Sequence, residues 1–132
     1  MKQIKSKERV KKFAEVFTAE REVKAMCDLV DDCCQDINAT FLEPACGNGN
    51  FLVEIIRRKL AHCKSENDII TAYNSIYGID IQEDNVKECR KRLWNIASTY
   101  TVSSNTLARV ALILAKNIIC GNSLEIMEKI RS

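Results

Sequence analysis

Apolar residues recur at helical spacing near the start of the chain, where Val10, Phe13, Ala14 and Phe17 predict a helix over about residues 7–16. Thr18 follows as a candidate cap for a second helix, with the stripe Val23, Met26, Cys27, Val30, Cys33 and Cys34. The pattern then changes period. Ala39–Leu42 is short, apolar and β-prone, and it runs into the turn Glu43-Pro44-Ala45-Cys46-Gly47-Asn48-Gly49. A helix is expected next, with Phe51, Leu52, Ile55, Ile56, Leu60 and Cys63 on one face. The polar stretch Lys64–Asp68 and a short apolar segment lead to a second strand, Ser75–Ile79, ending at Asp80. Val86, Cys89, Leu93, Trp94 and Ala97 mark another helix, and Leu107, Val110, Ala111 and Leu114 mark one over roughly Thr106–Ala115. A third strand, Asn117–Cys120, ends at Gly121, and a terminal helix starts near Ser123.

Strands alternating with helices predict an α/β fold, βαβαβ with three parallel strands. This is part of a doubly wound, Rossmann-like sheet, expected with helices on both faces and an N-terminal helical segment. Residues 1–36 form that segment, and residues 37–132 form the sheet-containing part. No repeat, low-complexity tract or linker interrupts them.

Composition alters this picture little. The 132 residues are 46% hydrophobic and carry a net charge of +2, and a chain of this length buries a core without disulfides. The basic residues crowded into positions 1–12 are read as a solvated terminus rather than a phosphate-contacting arm. Seven cysteines with no CxxC spacing and a single histidine, His62, offer no metal site. Free cysteines at apolar positions point to a reducing compartment, and neither a signal peptide nor a membrane span is present, so a cytoplasmic location is expected.

Candidate chemistry lies where ligands bind such a sheet, beyond the carboxyl ends of the strands. Gly47 and Gly49 allow tight turning and close backbone approach. Glu43 beside them would repel a pyrophosphate and attract an ammonium group. Leu52 stands where a third dinucleotide-binding glycine belongs, and no P-loop lysine follows. An amino acid linked to a nucleoside fits better. Asp80 can accept from both ribose hydroxyls, although capping of the following helix is the structural alternative. Ile81 can lie against an adenine face. Asn122 can accept from an adenine amine and donate to a ring nitrogen. Cys46 and Trp94 read as packing residues. Arg57, Arg58, Lys59 and Lys64, like Lys87, Arg90, Lys91 and Arg92, read as solvated helix faces.

At these residues a resemblance becomes specific. Phe41–Leu52 resembles motif I of amino-group DNA methyltransferases, most closely the adenine-N6 enzymes of bacterial restriction–modification systems. Tyr77–Ile81 resembles their motif II, Asn117–Leu124 their motif III, and Glu15-Val16-Phe17-Thr18 their motif X, which closes over the methionine part of the cofactor. The resemblance covers about residues 13–124. It implies that S-adenosylmethionine is bound by Thr18, Glu43, Ala45, Gly47, Gly49, Asp80, Ile81 and Asn122. Ala19 stands where the family usually has proline, and Asn122 where it more often has aspartate.

The family grips its flipped-out adenine with a motif of the type Asn/Asp-Pro-Pro-Tyr/Phe. This chain, whose one proline is Pro44, contains none. The resemblance therefore implies the cofactor-binding half of a methyltransferase, ending about where a fourth strand should begin. Such a chain is expected to be inactive alone, with DNA as the partner of the complete enzyme and with a C-terminal half or a second copy as the chain's own partner. The rival expectations are a non-catalytic cofactor-binding or interaction module, and part of a methyltransferase acting on RNA, protein or a small molecule.

Overall fold

The computed structural model describes residues 21–131. The helix expected over 7–16 and the Thr18 cap lie outside them. Helix α1 occupies residues 21–29, breaks at Val30, and resumes as the short α2, Asp31–Gln35. This break turns the expected apolar stripe. Cys27 and Cys34 are buried and Val23 packs against the core, whereas Met26, Val30 and Cys33 are exposed. Arg58 fastens these helices to the body, donating to Asp28 and Asp31 at 2.8 Å each. Asp31 holds its proton less tightly than an ordinary carboxyl because Arg58 and then Gln35 donate to it.

The sheet has three parallel strands in the order β1 (Phe41–Glu43), β2 (Ile76–Asp80), β3 (Ile118–Cys120). Phe41 pairs with Ile76, and Gly78 pairs with both Glu43 and Ile118. The α/β class, the parallel pairing and the three strands agree with expectation.

Helices α3 (Asn50–Leu60) and α4 (Glu66–Asn74) connect β1 to β2, and α5 (Glu83–Tyr100) and α6 (Ser104–Asn117) connect β2 to β3. A parallel crossover is right-handed. With the strands in sequential order, both crossovers therefore fall on one face, and α3 to α6 contact one another there. Ile76, Gly78 and Ile118 are buried on this face. Leu42 and Tyr77, adjacent on the opposite face, remain 46% and 39% exposed. The expectation of helices on both faces is thus corrected for the crossover helices. Helix α7 (Ser123–Arg131) follows β3.

Helix α4 was not anticipated. Its local signals are plain: Ser65 accepts from the Asp68 N–H as N-cap, and Ile69, Ile70 and Tyr73 turn inward. Tyr73 is fully buried and donates to the Leu93 carbonyl at 2.6 Å. Lys59 corrects a second expectation. It lies in the core, donating to the carbonyls of Asp36 and Ala39 and to Ser75 Oγ, with its ammonium 5.2 Å from the Phe41 ring centroid. Three donors thus meet three acceptors at the amino-terminal end of the sheet. Burial holds the Lys59 pKa below the usual lysine range.

Candidate functional site at the carboxyl edge of the sheet

The turn between β1 and α3 is shaped by its two glycines. Gly47 has φ +55° and Gly49 has φ +94°, the left-handed region where a side chain is strained. Their surroundings differ. A Cβ on Gly47 would meet nothing within 4 Å, whereas one on Gly49 would lie 2.7 Å from Cys89 Sγ. Gly49 therefore lets α5 pack under the turn, and Gly47 leaves open space above it. Gly78 serves a similar packing purpose, since a Cβ there would press on Leu52 and Cys46.

Asp80, at the end of β2, joins this turn to the next loop. Its Oδ2 accepts the Gly47 N–H at 3.0 Å, and its Oδ1 accepts from the Gln82 N–H at 2.8 Å and the Asn85 amide at 3.2 Å. Burial raises the Asp80 pKa, but these hydrogen bonds outweigh it and leave the carboxyl below its ordinary value. Helix α5 has Gln82 as its N-cap and no side-chain cap, so Asp80 shapes the loop before the helix without capping it. One Oδ2 lone pair stays outside these contacts.

Glu43 closes a tighter ring, its Oε1 accepting the Ala45 N–H at 3.1 Å. Ala45 is exposed, and so is Ile81, at 71%. Asn122 Oδ1 accepts from the N–H groups of Leu124 and Glu125, capping α7, so its carbonyl oxygen is engaged and its amide is the remaining donor. Glu43, Ala45, Gly47, Gly49, Asp80, Ile81 and Asn122 all sit at the carboxyl ends of the strands or in the loops that leave them. Direct bonds join Gly47 to Asp80 and Glu43 to Ala45, and the Gly121 N–H donates to the Asp80 carbonyl at 2.9 Å. The three loops are thereby tied at one edge.

Two arginines expected on solvated faces are instead structural. Arg90 donates to the Ile118 and Ala115 carbonyls, joining α5 to the entry of β3. Arg92 donates from Nη1 to the Asn48 carbonyl at 3.1 Å and to Asn50 Oδ1 at 2.7 Å. Beneath the turn, Cys46 and Cys89 are both buried, and Cys46 Sγ donates to the Gly47 carbonyl at 3.7 Å. The neighbouring Cys46 thiol, with burial, pushes the Cys89 pKa up. No group of His, Cys, Asp and Glu able to hold a metal ion occurs among the described residues, and no described helix is long and apolar enough to cross a membrane.

Comparison with known proteins gives one direction. The chain is 34% identical over 79 residues to the Type II methyltransferase M.VspI of Vibrio sp. (strain 343). The match takes in 59% of this chain and 16% of that protein, so the chain spans less than a fifth of that relative's length. No family model matches the chain, and no solved structure does. The similarity is to a methyltransferase.

Proposed function

We propose that these residues are the S-adenosylmethionine-binding part of a DNA methyltransferase of restriction–modification type, acting on the N6 amine of adenine. The observation that carries this reading is the Gly47–Asp80 link, which puts an open glycine turn and a strand-end carboxylate side by side. A ligand with an amino-acid end and a ribose needs that combination. The residues fit this cofactor: the space over Gly47 admits a ligand against the backbone, and Asp80 Oδ2 keeps an acceptor for a ribose hydroxyl. Glu43 would hold the ammonium end, with the backbone of Ala45, Gly47 and Gly49 beside it. Ile81 would cover an adenine face, and Asn122 would donate its amide to a ring nitrogen. Thr18 enters from the resemblance alone. What the bound cofactor supplies is an electrophilic methyl group on a sulfonium centre.

DNA, as the substrate of the complete enzyme, and a cytoplasmic location belong to the same proposal. So does inactivity of these residues alone, because they contain no Asn/Asp-Pro-Pro-Tyr/Phe sequence to grip the base. Titration calorimetry tests the reading. S-adenosylmethionine or its demethylated product should bind more tightly than NAD or ATP, and equal or tighter binding of NAD overturns it. With labelled cofactor and adenine-containing DNA, no transfer above background is expected, and robust transfer would relocate the catalytic residues.

A further inference from the structure

We infer that Arg92 is the positioning residue of the glycine turn, fixing from α5 the backbone shape on which cofactor affinity depends without itself touching the ligand. The inference rests on the cofactor reading above. Asn48 lies between two residues of positive φ, and the Gly49 N–H that follows it donates to the Cys46 carbonyl at 2.9 Å within the turn. Asp80 holds the turn at the Gly47 N–H. Arg92 holds it at the next residue, through the Asn48 carbonyl, and also grips Asn50, the first residue of α3. The turn is thus pinned from two elements, β2 and α5.

Helix electrostatics do not account for this placement. The α3 N-terminus has no side-chain cap and no acid in its first turn, and a cation there opposes the helix dipole. What keeps Arg92 in place is its pair of hydrogen bonds, both given by the two N–H groups of Nη1, whose directions the planar guanidinium fixes as a freely rotating ammonium does not. One turn earlier on α5, Cys89 fills the space behind Gly49. Cys89 sets how close α5 comes, and Arg92 sets the conformation of the turn that it meets.

Arg92→Ala and Arg92→Lys, with exposed Lys91→Ala as control, test this in the full chain. Amide hydrogen exchange over residues 47–53 and the Kd for the demethylated cofactor are the two readouts. Arg92→Ala should speed exchange in the turn and raise Kd by about tenfold, the effect of losing charge-assisted hydrogen bonds. Arg92→Lys, which keeps the charge and one bond, should recover part of both and remain folded. Unchanged exchange in the turn, or a loss of affinity no larger than that of Lys91→Ala, overturns the inference. A wild-type chain that binds no cofactor instead defeats the cofactor reading, and the exchange rates then decide by themselves whether Arg92 holds the turn.

Discussion

The Asp80 carboxylate accepts the Gly47 N–H at 3.0 Å, joining residues 33 positions apart in the chain. It binds the end of the central strand to a turn that has left-handed backbone on both sides of Asn48. Because its folded pKa lies below the ordinary carboxylate value, ionised Asp80 contributes stability that is fully present above the unfolded pKa of about 3.9. That contribution is lost as pH falls through the lower folded value. Asp80→Asn should therefore be less stable than wild type at pH 7, and the gap should narrow as pH drops below about 4. Urea unfolding across that range reads the gap directly, and a constant gap would mean that ionisation of Asp80 is not what matters. Asp80→Ala should also weaken cofactor binding by about 1–3 kcal/mol, through loss of the ribose acceptor.

The two glycines of the turn separate strain from sterics. Gly47→Ala meets open space, so its cost is that of a left-handed alanine, about 1 kcal/mol. Gly49→Ala adds a contact at 2.7 Å with Cys89 Sγ and one at 3.3 Å with its Cα, which a side-chain rotation does not relieve. It should cost about 2–3 kcal/mol more than Gly47→Ala. Gly47→Ala should instead show its larger effect on ligand affinity, because the new methyl group points into the space assigned to the cofactor. Thermal unfolding and calorimetry on both variants give the comparison, and equal destabilisation would contradict the packing argument.

Those same glycines show why this fold was legible from sequence. Gly47 and Gly49 follow an apolar run and precede a clear helical stripe, and this local pattern locates a strand–turn–helix without knowledge of the partners. Asp80, the last residue of β2, and Asn122, two residues past β3, could be placed at the carboxyl edge because each follows an apolar strand of the same kind. Arg90, Arg92 and Lys59 did not, because their hydrogen bonds reach carbonyls 20 to 44 residues away. Lys59 did carry a signal: it falls seven residues after Leu52 and three after Ile56, on the buried stripe. Charge outweighed position in that reading. The placement of both crossovers on one face was hidden for a different reason. Crossover handedness fixes the helix face only once strand order is known, and strand order is a tertiary fact.

Lys59 yields a test of opposite chemistry to Asp80. Lys59→Met takes one donor from each of the Asp36 and Ala39 carbonyls and the Ser75 hydroxyl, the Asp36 carbonyl keeping the Ala39 N–H, while removing a buried charge that has no carboxylate within hydrogen-bond distance. Three lost bonds outweigh the relieved burial, and a net loss of about 2 kcal/mol is expected. Burial lowers the Lys59 pKa below its unfolded value of about 10.4, so the folded state releases its proton first. Wild-type stability should accordingly rise relative to Lys59→Met as pH increases toward 10, the reverse of a salt-bridged lysine. Denaturant midpoints at pH 7 and near pH 10 decide the sign.

The sheet edge leads to a prediction about assembly. Among the described residues β1 pairs with β2 alone, so its outer backbone groups are unpaired within the described sheet. Leu42 on this strand and its register partner Tyr77 form an exposed apolar strip on the face away from the crossover helices. No lysine or proline lies within Phe41–Glu43, and the acid at Glu43 is turned back on the Ala45 N–H, so the edge lacks the devices that blunt strand addition. Of the partners that could cover it, a second copy is always present at the protein's own concentration. Self-association is therefore expected at low micromolar concentration, and Leu42→Lys, which charges both strip and edge, should shift the equilibrium toward monomer by about tenfold or more. Light scattering and sedimentation over a dilution series measure this. A wild-type chain that stays monomeric at every concentration would overturn the expected self-association, and a dimer indifferent to Leu42→Lys would place the contact elsewhere.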